Sequence, residues 1–408
     1  MVQREAEALA GAGFDVDVIC MRYPGRPARD VVNGVSIISL PLWWHRGSRF
    51  RYIADYGLFF VLAAGTLALR HIRRPYAVVQ VNSMPDFLVF AAAVPKLLGS
   101  TVVAYLHEPM PELAETLYGP GRITRVLAGI EQAALRFADH SVTVTDQLKR
   151  RYVERGARAD RISVVLNCPD PPTLLAGWTP PPPAGGRGPT ADGGKGPAAG
   201  GGRGPAAGFV AVCHGTIEDR YGQDTILEAA ALLQDELPDL RIVLTGRGSM
   251  TGEMVSDIAR RGLGQTVTFE GWVSRERLND ILASADVGIV AQKASPYSHL
   301  VHTNKMVDYW IFGLPVIASR LRAVSEAYDE QVIEYYEPGD AAALAAALRR
   351  LHDDPGRRAE LARNGRIAEA ANGWGSQRAV YLGVFDALAD RATERARPGR
   401  QSRRISSR

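Results

Sequence analysis

An isolated carboxylate in an apolar helix is the first residue of this chain with chemistry open to it. Asp308 lies in Asn304-Lys305-Met306-Val307-Asp308-Tyr309-Trp310-Ile311. There Met306, Val307, Trp310 and Ile311 recur at helical spacing and form an apolar stripe. Gly313 and Pro315 stop the helix, and Val316-Ile317-Ala318 read as a buried strand. Taken alone, Asp308 reads as a solvent-facing residue. A second group of residues is His214-Gly-Thr-Ile-Glu-Asp-Arg-Tyr-Gly222, directly after the strand Phe209-Val-Ala-Val-Cys213. Gly215 and Gly222 let backbone amides approach a ligand, the next helix begins there, and Arg220 adds a permanent cation. Those parts suit a diphosphate; a tight turn with a solvated Arg is the plainer alternative. Thr245-Gly246-Arg247-Gly248-Ser249 repeats the pattern more weakly. A third group, Tyr105-Leu-His-Glu-Pro-Met-Pro-Glu112, puts His107 and Glu108 at the carboxyl end of a buried strand, with Glu112 in the same loop. Asn82, Ser83 and Asp86 end the preceding strand on the same rim.

The elements that must hold these residues alternate between strand and helix. Asp15–Cys20, Val35–Leu40, Ala77–Asn82, Thr101–Leu106, Ser141–Thr145 and Ile162–Leu166 read as strands, with helices between most of them. This pattern predicts a parallel sheet covered on both faces. It starts again at Phe209, after a Pro/Gly-rich stretch with nothing to bury. The predicted organisation is a first α/β domain over 1–170 and a disordered linker over 171–208. A second α/β domain follows over 209–370, then a closing helix over 371–388 and a basic tail over 389–408. In open α/β sheets a ligand binds beyond the carboxyl ends of the strands, where all three groups fall.

Composition sets the limits. A chain of 408 residues exceeds one ordinary core, and 46% hydrophobic with 23% charged residues is usual for a globular protein. The net charge of +4 owes much to the last segment, where no aromatic residues interleave with the arginines, so nucleic acid is not an expected partner. Cys20, Cys168 and Cys213 have neither metal-ligand nor disulfide-framework spacing, and reduced thiols in the cytoplasm fit them best. Arg4 and Glu5 interrupt any signal-peptide core. Tyr52–Leu69 approaches membrane-spanning length and has Arg49, Arg51, Arg70, Arg73 and Arg74 around it. Asp55 and two glycines weaken a span, so a packed or membrane-surface helix is expected.

In this order, His214–Gly222, Phe269-Glu-Gly-Trp-Val-Ser274, Ser284-Ala-Asp-Val-Gly-Ile-Val290, Asn304–Ser319 and Glu337-Pro-Gly-Asp-Ala-Ala-Ala-Leu-Ala-Ala-Ala-Leu348 resemble the retaining nucleotide-sugar glycosyltransferases of the GT-B fold, family 4 (glycosyltransferases group 1). The resemblance covers nearly the whole chain apart from the linker. It implies two Rossmann-like domains facing across a cleft, the second holding the donor. By resemblance Asp308 would hydrogen-bond the donor ribose, Arg220 would face the leaving diphosphate, and His107 would lie near the transferred sugar. Trp272 and Val273 fall where the backbone meets the base, and Trp374 where the last helix returns. Gly215, Thr216, Gly246, Asn304 and Lys305 complete the implied donor site, and Asn82, Asp86, Glu108 and Glu112 the acceptor side.

Three departures from the family pattern stand out. Leu300 occupies the place of the first motif glutamate, leaving His299, His302 and Asn304 as neighbours for the sugar. Tyr221-Gly222 replaces the usual Lys-Gly. The chain also opens inside the family's first helix, so the first strand and its Gly-rich loop have no counterpart, and an upstream start is the expectation. The implied activity is hexosyl transfer from a nucleoside-diphosphate sugar to a glycan or lipid-linked acceptor, with retention, no metal and no other cofactor. The implied setting is the cytoplasm, at the inner face of the cell membrane, with peripheral membrane contact. A GT-B-type epimerase and an inactive scaffold in polysaccharide or glycolipid assembly are the alternatives.

Overall fold

The run Thr101–Leu106 shows no polar alternation, and each of its residues is at most 3% exposed. Such a strand belongs in the middle of a sheet covered on both faces. The computed structural model describes residues 1–23, 25–43, 49–179 and 208–395. It divides into two units, Met1–Leu166 with Gln377–Arg408, and Asn167–Ser376.

The first unit opens with α1 (Val2–Gly11), β1 (Val16–Arg22), β2 (Arg29–Val32), β3 (Val35–Trp43) and α2 (Arg49–Arg73). It continues with β4 (Val78–Asn82), a 3-10 helix over Asp86–Ala92, α3 (Ala93–Leu97), β5 (Thr101–Leu106), α4 (Met110–Tyr118) and α5 (Arg122–Phe137). Then come β6 (His140–Thr143), α6 (Asp146–Glu154) and β7 (Ile162–Val164). Its strands form two sheets. One is parallel, in the order β4-β5-β6-β7. The other runs β1-β3-β2, with β1 and β3 parallel and β2 antiparallel to β3. Among the described residues no strand pairs with the outer edge of β1 or of β4, and both strands are largely half-exposed, unlike β5.

The strand β2 escapes the alternation rule because it is short and exposed on every second residue. Its signal is the turn: Asn33 and Gly34 both take positive φ (49° and 81°), the Asn-Gly hairpin geometry.

The second unit begins with α7 (Pro171–Leu174), β8 (Val210–His214), α8 (Gln223–Leu233), β9 (Arg241–Thr245), α9 (Thr251–Arg260) and β10 (Val267–Phe269). It continues with α10 (Arg275–Ser284), β11 (Val287–Val290), α11 (Asn304–Ile311), β12 (Val316–Ser319) and α12 (Arg322–Ser325). Last come β13 (Ile333–Tyr336), α13 (Ala341–Asp353) and α14 (Pro355–Asn372). Six parallel strands run in the order β10-β9-β8-β11-β12-β13. The chain moves outward from β8 on one side, then returns to start the other half at β11. The β8–β11 junction is therefore the topological switch point, where α/β sheets open a crevice for ligands.

Two expectations need correction here. Residues 171–178, read as part of the linker, pack on the second unit. Leu174 is buried and its carbonyl accepts from Asn279 Nδ2 (3.0 Å), while Trp178 Nε1 donates to Asp280 (2.9 Å). Linker residues 180–207 lie outside the described residues. The closing helix is α15 (Trp374–Arg395), and it is preceded by the helix α14, which the sequence reading omits although 355–372 is rich in Ala, Arg and Glu behind Pro355. From Gln377 onward α15 belongs to the first unit, where Gln377 Oε1 accepts from Leu166 N–H (2.9 Å) and Tyr381 donates to Gln80 (2.9 Å).

The helix α11 is buried on all sides from Met306 to Ile311, where one apolar stripe was expected. It lies between the sheet and α14, so both of its faces meet protein. Trp310 sits over Gly365 of α14, where a Cβ would strike the indole. Tyr309 packs against Gly288 of β11, and its hydroxyl lies 3.2 Å from the carbonyls of both Val212 and Ile289, tying β8 to β11.

Candidate functional site: the carboxyl ends of two parallel sheets

Burial on α11 carries Asp308 into the switch point rather than to solvent. It is 8% exposed, and its Oδ2 lies 3.5 Å from Nε2 of His214, the last residue of β8. Burial pushes the Asp308 carboxyl up to about 7, with Arg275 pulling the other way. Burial takes the His214 imidazole down to about 3, assisted by Lys305 and Arg275, so His214 is neutral at physiological pH. The pair is a buried carboxyl beside a neutral ring, able to accept and donate hydrogen bonds to a polar ligand.

The loop from Gly215 to Gly222 forms one wall. Gly215 N–H donates to Thr245 O (2.9 Å) and Ile217 N–H to Arg247 O (3.2 Å), so this loop and the loop after β9 lie back to back. The approach is close enough that a Cβ on Gly246 would collide with the Gly215 carbonyl. A Cβ on Gly215 would in turn meet Lys305 Cε at 2.9 Å. Lys305, in the first turn of α11, therefore lies across the glycine at the start of the loop. Its Nζ is 4.6 Å from the centroid of the Tyr221 ring, and the Arg220 guanidinium is 4.8 Å from the same centroid. Tyr221, standing where a Lys was expected, holds two cations by their attraction to its ring.

Beyond them, Gly246 N–H and Thr245 Oγ1 both donate to Gly271 O (2.7 Å each), which sets the Trp272–Val273 loop against Gly246. Trp272 is 67% exposed and carries Arg247 5.7 Å from its ring centroid. Thr216 is exposed, and its carbonyl accepts from Gln223 (3.1 Å).

Along the Gly215–Gly222 loop and at the start of α11, Arg220 Nε and Asn304 Oδ1 are buried without an internal hydrogen-bond partner; so are both ring nitrogens of His302, whose ring lies 5.5 Å from that of Tyr328. Buried polar atoms are nearly always paired, so Arg220 and Asn304 are candidates for contact with a polar ligand. His302 is held neutral by burial, which lowers it to about 4. His299 faces elsewhere and accepts from Arg322 N–H (3.3 Å), while Leu300 is buried. Among the described residues no group of His, Cys, Asp and Glu is arranged to hold a metal ion.

In the first unit the carboxyl ends of β4 and β5 bring Asn82 and His107 together. His107 Nε2 donates to Asn82 Oδ1 (3.2 Å), which also accepts from Gln80 Nε2 (3.1 Å). The ring lies 4.2 Å from that of Tyr105, and burial lowers His107 to about 4. With its proton on Nε2, the partnerless Nδ1 is a hydrogen-bond acceptor. Glu108 is half-buried on the same loop.

Of the other two acceptor-side residues, Glu112 is taken up by the fold, whereas Asp86 Oδ1 is buried without an internal hydrogen-bond partner. Glu112 faces inward from α4, 2.7 Å from Arg151 Nε and also paired to Arg155, which holds Glu131 as well. Asp86 is buried, and desolvation together with the Glu131 charge raises it to about 7. Sequence spacing put Glu112 on the rim, but it could not show which way a residue on a short helix faces. It also passed over His214 and Tyr221 as ligand-facing residues. For His214 the available signal was its position as the last residue of a strand at the sheet's switch point.

Residues 1–171 match the family model for Glycosyltransferase Family 4, and residues 208–354 that for Glycosyl transferases group 1. The 2-deoxystreptamine glucosyltransferase of Streptomyces kanamyceticus is 25% identical over 362 residues, which is 87% of this chain and 89% of that one. The D-inositol 3-phosphate glycosyltransferase of Arthrobacter sp. (strain FB24) is 26% identical over 181 residues, 43% of this chain and 42% of that one. The chain thus spans under half of the latter relative's length. Among solved structures, sucrose-phosphate synthase from Thermosynechococcus elongatus superposes with a TM-score of 0.71 at 19% identity, covering 96% of this chain and 93% of that one. Anabaena HepE in complex with UDP-glucose gives 0.61 at 18% identity, covering 81% and 82%.

Proposed function

Because this chain belongs to the glycosyltransferases of the GT-B fold, we propose that it moves a hexose from a nucleoside-diphosphate sugar to a hydroxyl of a glycan or lipid-linked acceptor, with retention of anomeric configuration. The observation that carries this reading is the convergence at one switch point of a buried Asp308–His214 pair, two cations on Tyr221, and buried polar atoms that lack internal partners.

Each part has a place in the chemistry. Ionised Asp308 accepts from the two ribose hydroxyls, and Trp272–Val273 meet the base. Lys305 and Arg220 face the diphosphate, whose charge grows as the bond from the sugar anomeric carbon to the phosphate oxygen breaks. The acceptor oxygen attacks that carbon on the same face, and its proton passes to the departing phosphate oxygen. No nucleophilic carboxylate is invoked, in contrast to retaining glycosidases. Cationic side chains do the neutralising, so we expect turnover without added metal. HepE was solved with UDP and with UDP-glucose, which makes uridine the first base to test.

The test is hydrolysis and transfer across a panel of nucleotide sugars, with the product anomer read by NMR. Retention with one donor supports the proposal, and an inverted product overturns the mechanism. Lys305→Ala and Arg220→Ala are each expected to lower kcat by about 10²-fold or more, the scale of losing one charge-stabilising donor, with the melting temperature unchanged. Unaltered kcat in both variants would remove the cation pair from the mechanism.

A further inference from the structure

Behind His107, side chains from α1, β4 and α15 form one line of hydrogen bonds. Glu5 of α1 is 1% exposed, and its Oε2 lies 3.1 Å from Gln80 Nε2 on β4. The same Nε2 lies 3.1 Å from Asn82 Oδ1, which is 3.2 Å from His107 Nε2. From the other side the buried Tyr381 of α15 donates to Gln80 Oε1 (2.9 Å). Tyr381 also backs the imidazole: its ring stacks 6.4 Å from that of Tyr105, which in turn lies 4.2 Å from the His107 ring.

One pattern of donors and acceptors satisfies the whole line. An ionised carboxylate accepts and cannot donate, so the Gln80 end facing Glu5 is the NH2 and the end facing Tyr381 is the carbonyl. Gln80 has two amide hydrogens, one directed at Glu5 and the other at Asn82. The Asn82 atom that receives the second is therefore its carbonyl oxygen. That oxygen has no hydrogen of its own, so His107 Nε2 must supply one, and the lone pair of the neutral ring falls to Nδ1. The opposite tautomer would set two lone pairs against each other unless Asn82 turned over, and Gln80 resists that turn. We propose that Glu5 and Gln80 are positioning residues, which hold His107 as the Nε2–H tautomer so that Nδ1 accepts a hydrogen bond from a sugar hydroxyl. What Nδ1 binds rests on the glycosyl-transfer reading; the tautomer does not.

The test separates the two. The full chain, without donor, is labelled with 15N in its histidine rings, and the protonated nitrogen of His107 is read by NMR, its signals assigned by their loss in His107→Gln. Burial raises the Glu5 carboxyl to about 7, so the spectra are taken at about pH 8.5, where the ionised, selecting form prevails. The parent is expected to carry its proton on Nε2. Glu5→Gln removes the obligate acceptor and lets Gln80 turn over, and Gln80→Met cuts the line one link later, so that one variant serves should the other misfold. Each is expected to shift the ring towards the Nδ1–H form and to lower kcat/KM about tenfold, the scale of one lost hydrogen bond. Tyr381→Phe leaves Glu5 in command and is expected to keep the proton on Nε2. An Nδ1–H ring in the parent, or an unchanged ring in either folded line-cutting variant, would overturn the proposal. A shifted ring with unaltered kcat/KM would overturn the sugar contact. A parent that transfers no sugar would count against the proposed function alone, since the tautomer is read without donor.

Discussion

Asp308 is held by a balance that a single proton can shift. Its folded value near 7 lies above the ordinary carboxyl range, so the neutral form is favoured in the fold and the ionised form is what accepts ribose hydroxyls. Donor affinity is therefore expected to rise as pH increases through 7. Stability moves the other way: a carboxyl with a raised folded value contributes stability that is complete below its unfolded value, near 3.8, and lost as pH rises through 7. Glu5 and Asp86, each raised to about 7, act in the same direction. His107, His214 and His302, lowered to between about 3 and 4, act oppositely and cost stability as pH falls below 6.5. The two sets oppose each other between about 4 and 6.5, and only the carboxyls act from there to 7. Asp308→Asn removes one of them. It is expected to match or exceed the parent in thermal stability at pH 8 while losing at least tenfold in donor affinity by calorimetry. A variant that is less stable at pH 8 with unchanged affinity would make Asp308 a structural residue.

The two helices that matter most to the chemistry owe their positions to small residues opposite large ones. The close packing of Trp310 on Gly365 leaves no room for a methyl, and overpacking of this kind costs about 1–3 kcal/mol. Gly365→Ala is expected to lower the melting temperature and, by displacing α11, to weaken nucleotide binding; an unchanged melting temperature would show that α14 yields freely. Alternation of strands and helices made the second unit legible in the sequence, because continuous apolar runs such as Phe209–Cys213 and Val287–Val290 admit few other readings. The depth of α11 was not legible. Its pattern of Met306, Val307, Trp310 and Ile311 is that of a helix with one wet face, and only the sheet end at His214 on one side and α14 over Trp310 on the other, both distant in sequence, bury the whole helix. The site was legible in the same uneven way. Gly215, Gly246 and Lys305 do converge, yet nothing local shows that Tyr221 would gather Lys305 and Arg220 or that Glu112 would turn inward to two arginines.

Across the molecule the two units differ in how completely their sheets are closed. The second has one sheet of six strands with its chemistry at the centre, and its burial is continuous from β8 to β12. The first divides its strands between two sheets, leaving β1 and β4 as edges among the described residues. In a parallel α/β layer an inner strand is shielded by neighbours on both sides, and an edge leaves every second amide hydrogen without a sheet partner. Exchange with deuterated water should therefore be fast at alternate amides of β1 and β4 and slow throughout β5; uniform protection across the three would contradict the division. The same open edges bear on handling. Val16–Arg22 is apolar at alternate positions, has no proline and offers its backbone sideways, which are the attributes of a segment that recruits further strands. Self-association of concentrated samples should then begin at this hairpin-backed edge of the smaller sheet, far along the chain from the residues that handle the nucleotide.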